Sequence, residues 1–387
     1  MRFVFLINRL TMGGAERVVV NLANKLIKNN HAVEIICLEK SDVAYNIDSK
    51  CKVHTLTNHE VNNGLLKYLF LIYQAYKLKR YISKNKIKVV QSHLYRANYV
   101  NVLSKKLFFS KHISQIINHS SCSRYKNSGI KGKLNLFLIK NLYSKSNVIV
   151  AISKMMKFEI EEITKRNDVL VINNPHELDV IKKKMHEEVH EFEFQDNKNY
   201  IICIGRLIPL KRNQDIINVI PKLNTNIELL FLGDGEEKEK LINLATDLKV
   251  KNRVHFLGTV SNPFKYICKS DFVVSCSETE GFPNVLIEAM VCKTIVISTD
   301  CVSGPREIIA PNTNFLDTIN YPLNSFTKQD YGILYPVGDY FALKNAIVDV
   351  ISNNYKTEIE EKAFKQAKKY DIENIILDYK SKLFNLN

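Results

Sequence analysis

Short apolar runs recur along this chain, and each leads into a loop and then a segment with helical spacing. Arg2 to Ile7, Ala32 to Leu38, Val89-Val90, Ile113 to Ile117, Val148 to Ile152 and Val169 to Ile172 form one series. Tyr200 to Ile204, Leu229 to Leu232, Val254 to Leu257, Phe272 to Ser275 and Thr294 to Ser298 form a second. Apolar runs that alternate with helices build parallel sheets covered by crossover helices. A chain of 387 residues is too long for one ordinary core, so two α/β domains are expected. The polar stretch 176–198 reads as the linker between a domain at 1–175 and one at 199–371. A last helix, Glu373 to Leu383, follows.

Charge divides the two halves. Residues 1–175 carry 29 Lys/Arg against 10 Asp/Glu, a net +19, and 176–387 carry 26 against 30, a net −4. Such asymmetry calls for an anionic partner of the first half. The helix expected from Leu65 to Ile87 has Leu66, Leu69, Phe70, Tyr73 and Tyr76 as apolar or amphipathic positions. Lys67, Lys77, Lys79, Arg80, Lys84 and Lys86 supply its cationic tips. From Phe108 to Lys145 there is no Asp or Glu, and Phe109, Tyr125, Phe137 and Tyr143 interleave with Lys and Arg. A solvated basic surface would account for the charge alone. An anionic membrane surface docking along 65–145 would account for the aromatic residues as well.

No run of 18 apolar residues exists, and Met1 to Ile7 reads as a buried strand rather than a leader. Eight cysteines with no Cys-x-x-Cys pair, several inside apolar runs, point to a reducing cytosol. The expected location is therefore cytoplasmic, peripheral on the inner face of the plasma membrane.

The chemistry concentrates between Ser277 and Glu307. Gly281 permits a tight turn after the strand Phe272 to Ser275, and Pro283 suits the first position of a helix. Val285, Leu286 and Ala289 give that helix an apolar side. Glu280 in the loop and Glu288 in the second helical turn can both point into the crevice beyond the strand ends. Open α/β sheets bind ligands there, and a helix N-terminus there favours an anion. Earlier, the strand ending at Ile204 runs into Gly205-Arg206-Leu207, with Lys211 five residues after Arg206.

The segment E-G-F-P-N-V-L-I-E-A-M, Glu280 to Met290, resembles the E-x7-E signature of glycosyltransferase family 4. These are retaining enzymes of the GT-B fold, in which two Rossmann-like domains with parallel sheets face each other across a cleft. The resemblance implies an acceptor domain at 1–175, with residues 372–387 packed back on it, and a nucleotide-sugar domain at 199–371. It implies that Glu280 touches the donor sugar and that Glu288 holds the ribose hydroxyls. Gly281, Phe282, Pro283, Asn284 and Val285 lie in the donor site between them. The G-R-L-x-x-x-K pattern resembles the diphosphate clamp, with Arg206 and Lys211 as its cations. Gly14, in the loop Thr11 to Gly14, lies beside the diphosphate, and Val260 lies in the loop that reads the base. The resemblance also implies that His119 faces the sugar near the reacting carbon, and His93 is expected on the acceptor side. His119, Glu280, Arg206 and Lys211 are thus the expected catalytic set. Cys292-Lys293 departs from the small residue and glycine usual after the signature helix.

The implied reaction is transfer of a hexose or N-acetylhexosamine from a UDP-sugar to a lipid-linked glycan in cell-surface polysaccharide biosynthesis. No cofactor and no metal are expected, because the chain has no Asp-x-Asp to bind a divalent ion through oxygen ligands. The cations would instead offset the charge growing on UDP. An epimerase of the same fold would leave the basic first half without a purpose. A nucleic-acid-binding protein would explain that charge but not the clamp, so no nucleic acid is expected. His186-Glu187-Glu188-Val189-His190 fits the H-E-x-x-H of zinc proteases, yet it sits in a polar stretch that could not bury a catalytic site. Gly233-Asp234-Gly235 is followed by three glutamates within four residues, which would repel phosphate, and reads as a turn.

Overall fold

A computed structural model of the chain describes residues 2–58, 64–125, 128–317, 319–353 and 356–384. It divides into two compact units, Met1–His176 with Ile372–Asn387, and Glu177–Asp371. Unit 1 contains β1 (Arg2–Ile7), α1 (Gly14–Lys28), β2 (Ala32–Glu39), β3 (Lys52–Thr57), α2 (Gly64–Lys84), β4 (Val89–His93), α3 (Tyr95–Lys106), β5 (Ile113–Asn118), α4 (Gly129–Leu138), β6 (Val148–Ala151), α5 (Lys154–Thr164) and β7 (Leu170–Val171). Unit 2 contains α6 (Leu178–Lys184), β8 (Asn199–Ile204), α7 (Gln214–Val219), β9 (Ile227–Leu232), α8 (Lys238–Asp247), β10 (Val254–Gly258), α9 (Phe264–Cys268) and β11 (Phe272–Ser275). It continues with α10 (Asn284–Val291), β12 (Ile295–Thr299), α11 (Pro305–Ile309), β13 (Thr327–Gln329), β14 (Gly332–Tyr335), α12 (Tyr340–Ser352) and α13 (Lys356–Ala367). The chain then returns to unit 1 as α14 (Ile372–Tyr379), where the Ile372 N–H donates to the His176 carbonyl at 2.8 Å.

Each unit is built on a seven-stranded sheet. The orders are β3-β2-β1-β4-β5-β6-β7 and β10-β9-β8-β11-β12-β14-β13, parallel throughout except for the β13–β14 pair. In both, strand order reverses beside the first strand, between β1 and β4 and between β8 and β11. A doubly wound sheet opens its ligand crevice at that reversal, beyond the carboxyl ends of the strands. Continuous apolar runs suit strands covered on both faces, and Ile201, Leu229, Val273 and Ile297 are fully buried.

Local chemistry sets the element ends. α1 buries Val18, Val19, Leu22 and Leu26 on one face, then stops where Asn30 takes a left-handed φ of 61°. Ser153 caps α5 by accepting from the Met156 N–H at 3.2 Å. α10 begins at Asn284, one residue after Pro283. At its far end Lys293 keeps the left-handed turn (φ 56°) that a glycine would make without strain, and its ammonium pairs with Glu361 at 2.5 Å.

One expectation, that of a linker, changes here. Residues 177–198 are not a linker but part of unit 2. Phe192 and Phe194 pack edge-on against Tyr200, and Asn262 donates to the Lys184 carbonyl and to Glu187, both at 2.8 Å. α6 ends at Lys184, so His186 and His190 do not share a helix face as a zinc motif requires, and the His190 side chain is exposed. On α2, the inward face is Leu71, Gln74, Ala75, Leu78 and Ile82, whereas Leu66, Leu69, Tyr73 and Tyr76 face outward. The Gly233–Gly235 segment is not itself a turn, which follows at Glu236 and Glu237, but a place of tight backbone packing. A Cβ on Gly233 would sit 2.0 Å from the Gly205 carbonyl oxygen.

Candidate active site

In unit 2 the residues expected to carry the chemistry surround the strand-order reversal. β8 ends at Ile204, and Gly205, at φ 142°, turns the chain into an exposed Arg206. A single 3-10 turn, Pro209–Lys211, then brings Lys211 back toward the crevice. β11 ends at Ser275 and runs through Ser277 to Glu280. The two loops are pinned together by the Glu278 N–H donating to the Leu210 carbonyl at 2.9 Å. Across them the Lys211 ammonium pairs with the Glu280 carboxylate. The Ser277 hydroxyl donates to the same carboxylate oxygen at 2.6 Å. Ser277 makes a contact that no motif in the sequence marks, since it lies seven residues before α10 and bonds the Glu280 side chain rather than capping a helix.

The turn after Glu280 is held from the opposite side. Ser303 donates to the Gly281 carbonyl at 2.9 Å, and Gly304 (φ 90°) lets its loop lie against Pro283, where a Cβ would be 2.5 Å from the proline ring. Phe282 is buried edge-on against Tyr370, so its ring anchors the loop rather than facing the crevice. Asn284 and Val285 open α10 with part of their surface accessible, and a helix start of this kind presents backbone N–H groups suited to an anion. Glu288 is buried on the second turn. Val260 follows β10 and stays partly accessible. Burial pushes the nearby Cys276 thiol up to about 12, which leaves it protonated and unreactive.

In unit 1, Gly13 and Gly14 join β1 to α1. The Tyr45 hydroxyl accepts from the Gly13 N–H at 2.8 Å and donates to its carbonyl at 2.7 Å. His119 follows β5 and keeps part of its surface accessible. His93 ends β4 and is fully buried, so it has no face to offer an acceptor. Its Nδ1 lies 2.8 Å from His119 Nε2 instead. Burial lowers the pKa of both imidazoles, that of His119 to about 4.

Two family models divide the chain between them: Glycosyltransferase Family 4 matches residues 12–180, and Glycosyl transferases group 1 matches 184–370. The chain belongs to glycosyltransferase family 4. It is 28% identical over 378 residues to a Campylobacter jejuni enzyme, with 95% of each chain covered. That enzyme is named N-acetylgalactosamine-N,N'-diacetylbacillosaminyl-diphospho-undecaprenol 4-alpha-N-acetylgalactosaminyltransferase. A Staphylococcus aureus capsular polysaccharide biosynthesis glycosyltransferase, CapH, is 26% identical over 318 residues, 78% of this chain and 81% of its own. Among solved structures, Anabaena HepE in complex with UDP shares the GT-B fold at a TM-score of 0.77 and 19% identity, with both chains fully covered.

Proposed function

We propose that this family 4 glycosyltransferase is a retaining enzyme that moves a hexose or N-acetylhexosamine from a UDP-sugar to a lipid-linked glycan. The observation that carries the reading is the Lys211–Glu280 pair at the strand-order reversal of unit 2, on the loop that also carries an exposed Arg206 and the loop that leads into α10. Two cations and a helix start make a diphosphate site, and a carboxylate next to them can accept from sugar hydroxyls. On this reading Lys211 leaves Glu280 for the diphosphate when donor binds, which frees Glu280 for the sugar. Glu288 takes the ribose, and the backbone around Gly281, Asn284 and Val285 lines the donor. Gly14 and Val260 meet the diphosphate and the base, and His119 meets a sugar hydroxyl.

The acceptor hydroxyl attacks the anomeric carbon from the side the diphosphate leaves. The carbon–oxygen bond to the diphosphate breaks, the new glycosidic bond forms, and a departing phosphate oxygen takes the acceptor's proton. Arg206 and Lys211 offset the charge that grows on UDP without a metal ion. Support for the substrates comes from relatives. Two Campylobacter jejuni relatives are named for undecaprenyl-diphosphate-linked acceptors, and HepE is solved with UDP-glucose.

Membrane docking through unit 1 belongs to the same reading. Leu66, Leu69, Tyr73 and Tyr76 on α2, with Phe109 (84% exposed) and Ile130 (86%), give this basic unit outward apolar side chains. Lys77 and Arg80 lie over the rings of Tyr73 and Tyr76. Phe137 is exposed too, but Tyr143 is fully buried and Tyr125 partly so, which removes those two as anchors. Among the described residues no helix is long and apolar enough to cross a membrane. An anionic bilayer suits such a surface.

Thermal stabilisation across nucleotide sugars tests the donor assignment. A donor at 100 times its Kd adds about 2.7 kcal/mol. A UDP-sugar that raises the melting temperature, with other nucleotide sugars weaker, is expected; no shift with any UDP-sugar would remove the donor site.

A further inference from the structure

Five groups in unit 1 form one hydrogen-bonded row ending at His119, and only one end has a fixed polarity. The backbone carbonyl of Leu383, in the returning C-terminal segment, can only accept. The Gln115 side-chain amide nitrogen donates to it at 3.2 Å, which turns the Gln115 oxygen toward Gln91. The Gln91 amide nitrogen donates to that oxygen at 3.1 Å, so the Gln91 oxygen faces His93 Nε2, 3.2 Å away. An amide oxygen accepts, hence His93 carries its proton on Nε2. A neutral His93 then has a lone pair on Nδ1, and His119 Nε2, at 2.8 Å, must be the donor to it. His119 is left with a lone pair on Nδ1.

We infer that Gln115, Gln91 and His93 are positioning residues that hold His119 in the Nε2–H tautomer, so that its Nδ1 is a fixed acceptor for a substrate hydroxyl. Its consequence for transfer rests on the proposed role of His119 at the sugar; the tautomer itself does not. Burial supports a neutral pair, since Gln91, His93 and Gln115 are nearly or completely inaccessible and both rings resist protonation. Pairing across the sheet supplies the geometry. Gln91 on β4 stands opposite Gln115 on β5, and His93 lies two residues further along the same strand. Phe5 of β1 closes one side of the His93 ring, edge-on at 5.7 Å between centroids. Reversing the row would set the Gln115 oxygen against the Leu383 carbonyl, two acceptors facing each other in a buried site, which is costly.

Long-range proton–nitrogen correlation spectra of the full chain, labelled with nitrogen-15 histidine, read this at pH 7.5. Both His93 and His119 should show Nε2–H; Nδ1–H at either ring overturns the inference, and this measurement needs no variant. Gln91→Leu removes the acceptor of His93 and should convert or mix the tautomer of His119, a residue that Gln91 does not touch. Unchanged signals of His112 and His176 would certify its fold. Transfer by Gln91→Leu should fall about tenfold in kcat with the KM for donor within about twofold. An unaltered His119 tautomer in a folded Gln91→Leu overturns the row. The wild-type tautomers as expected, with no loss of transfer in His119→Ala, would instead overturn the role of His119 at the sugar.

Discussion

The two units share the order of their first five strands and reverse it at the same point, differing only at the far edge where unit 2 ends in the antiparallel β14–β13 pair. Yet they fill that frame differently. Unit 1 carries 31 Lys/Arg against 12 Asp/Glu, a net +19, and unit 2 carries 24 against 28, a net −4. Unit 1 also buries a polar interior: Gln74, Gln91, His93, Asn98, Asn101, His112 and Gln115 are all nearly inaccessible. Below its reversal point unit 2 is packed mainly with Ile, Leu, Val and Phe, and three charged pairs, Lys211–Glu280, Arg212–Asp215 and Arg306–Asp300, follow the ends of β8, β11 and β12. The topology decides where a ligand can sit; the filling decides what each unit does with it. A packed apolar base lets unit 2 fix the loops that carry Lys211 and Glu280, so that the two side chains can exchange partners when a charged donor binds. The hydrogen-bonded interior of unit 1 orients a neutral imidazole, and its basic surface suits an anionic partner.

The sharpest way to break this division is at the diphosphate clamp. Lys211→Ala and Arg206→Ala should each lower turnover by about 2.7–4 kcal/mol, a factor of 100 to 1,000, with weaker UDP binding. Steady-state kinetics and UDP titration check it, and near-normal rates in both variants would take the clamp out of the mechanism. The carboxylates should separate by ligand. Glu288→Gln should weaken UDP itself, whereas Glu280→Gln should spare UDP and impair transfer; equal loss of UDP affinity in both would contradict the assignment.

Acid should distinguish the units next. Burial lowers the pKa of His93, of His112 and His176 to about 3, and of His119 to about 4, all in unit 1. Above the ordinary imidazole value of 6.5 neither the folded nor the unfolded chain holds these protons. As pH falls below 6.5 the unfolded chain takes them up and the folded one does not. Stability is then lost by about 1.4 kcal/mol per pH unit for each buried ring, until the folded value is reached. Hydrogen exchange at pH 7.5 and pH 5 should show unit 1 losing protection before unit 2, whose three histidines are exposed or half-buried. Equal loss in both units would show that the buried rings do not set acid stability.

Smaller effects belong to the surface. Flotation with anionic vesicles should exceed that with neutral ones and fall with salt, each Lys or Arg near the bilayer contributing about 1 kcal/mol. Leu69→Glu with Ile130→Glu, both exposed, should weaken flotation several-fold and leave the fold intact. Recovery insensitive to lipid charge, or lost only to a competing nucleic acid, would favour a different anionic partner. Excess chelator should leave transfer within about twofold, and complete loss restored by a divalent ion would give the metal a role.

Much of unit 2 was legible from sequence because its signals are local. Glu280, Gly281, Pro283 and Glu288 lie within nine residues, and Arg206 and Lys211 within six. Interactions between distant residues were not legible. The Gln91–Gln115 contact depends on strand register, and the Leu383 carbonyl arrives 268 residues after Gln115. The polar look of 177–198 concealed Phe192 and Phe194, two rings whose partners, Tyr200, His255 and Tyr266, lie mostly far ahead in the chain. On α2 both faces carry apolar residues, so spacing alone could not say which one turns inward. β3, with a polar first half, has too weak a run to read as a strand.

Transfer itself is the most direct test. The full chain is incubated with each UDP-sugar and a polyprenyl-diphosphate-linked disaccharide, and products are followed by mass spectrometry and proton NMR. One UDP released for each sugar added to the lipid, with the donor's α configuration kept at the new linkage, is the expected result. Conversion of the UDP-sugar to its epimer with no lipid product, or a linkage of inverted configuration, would contradict the retaining transferase proposed for this chain.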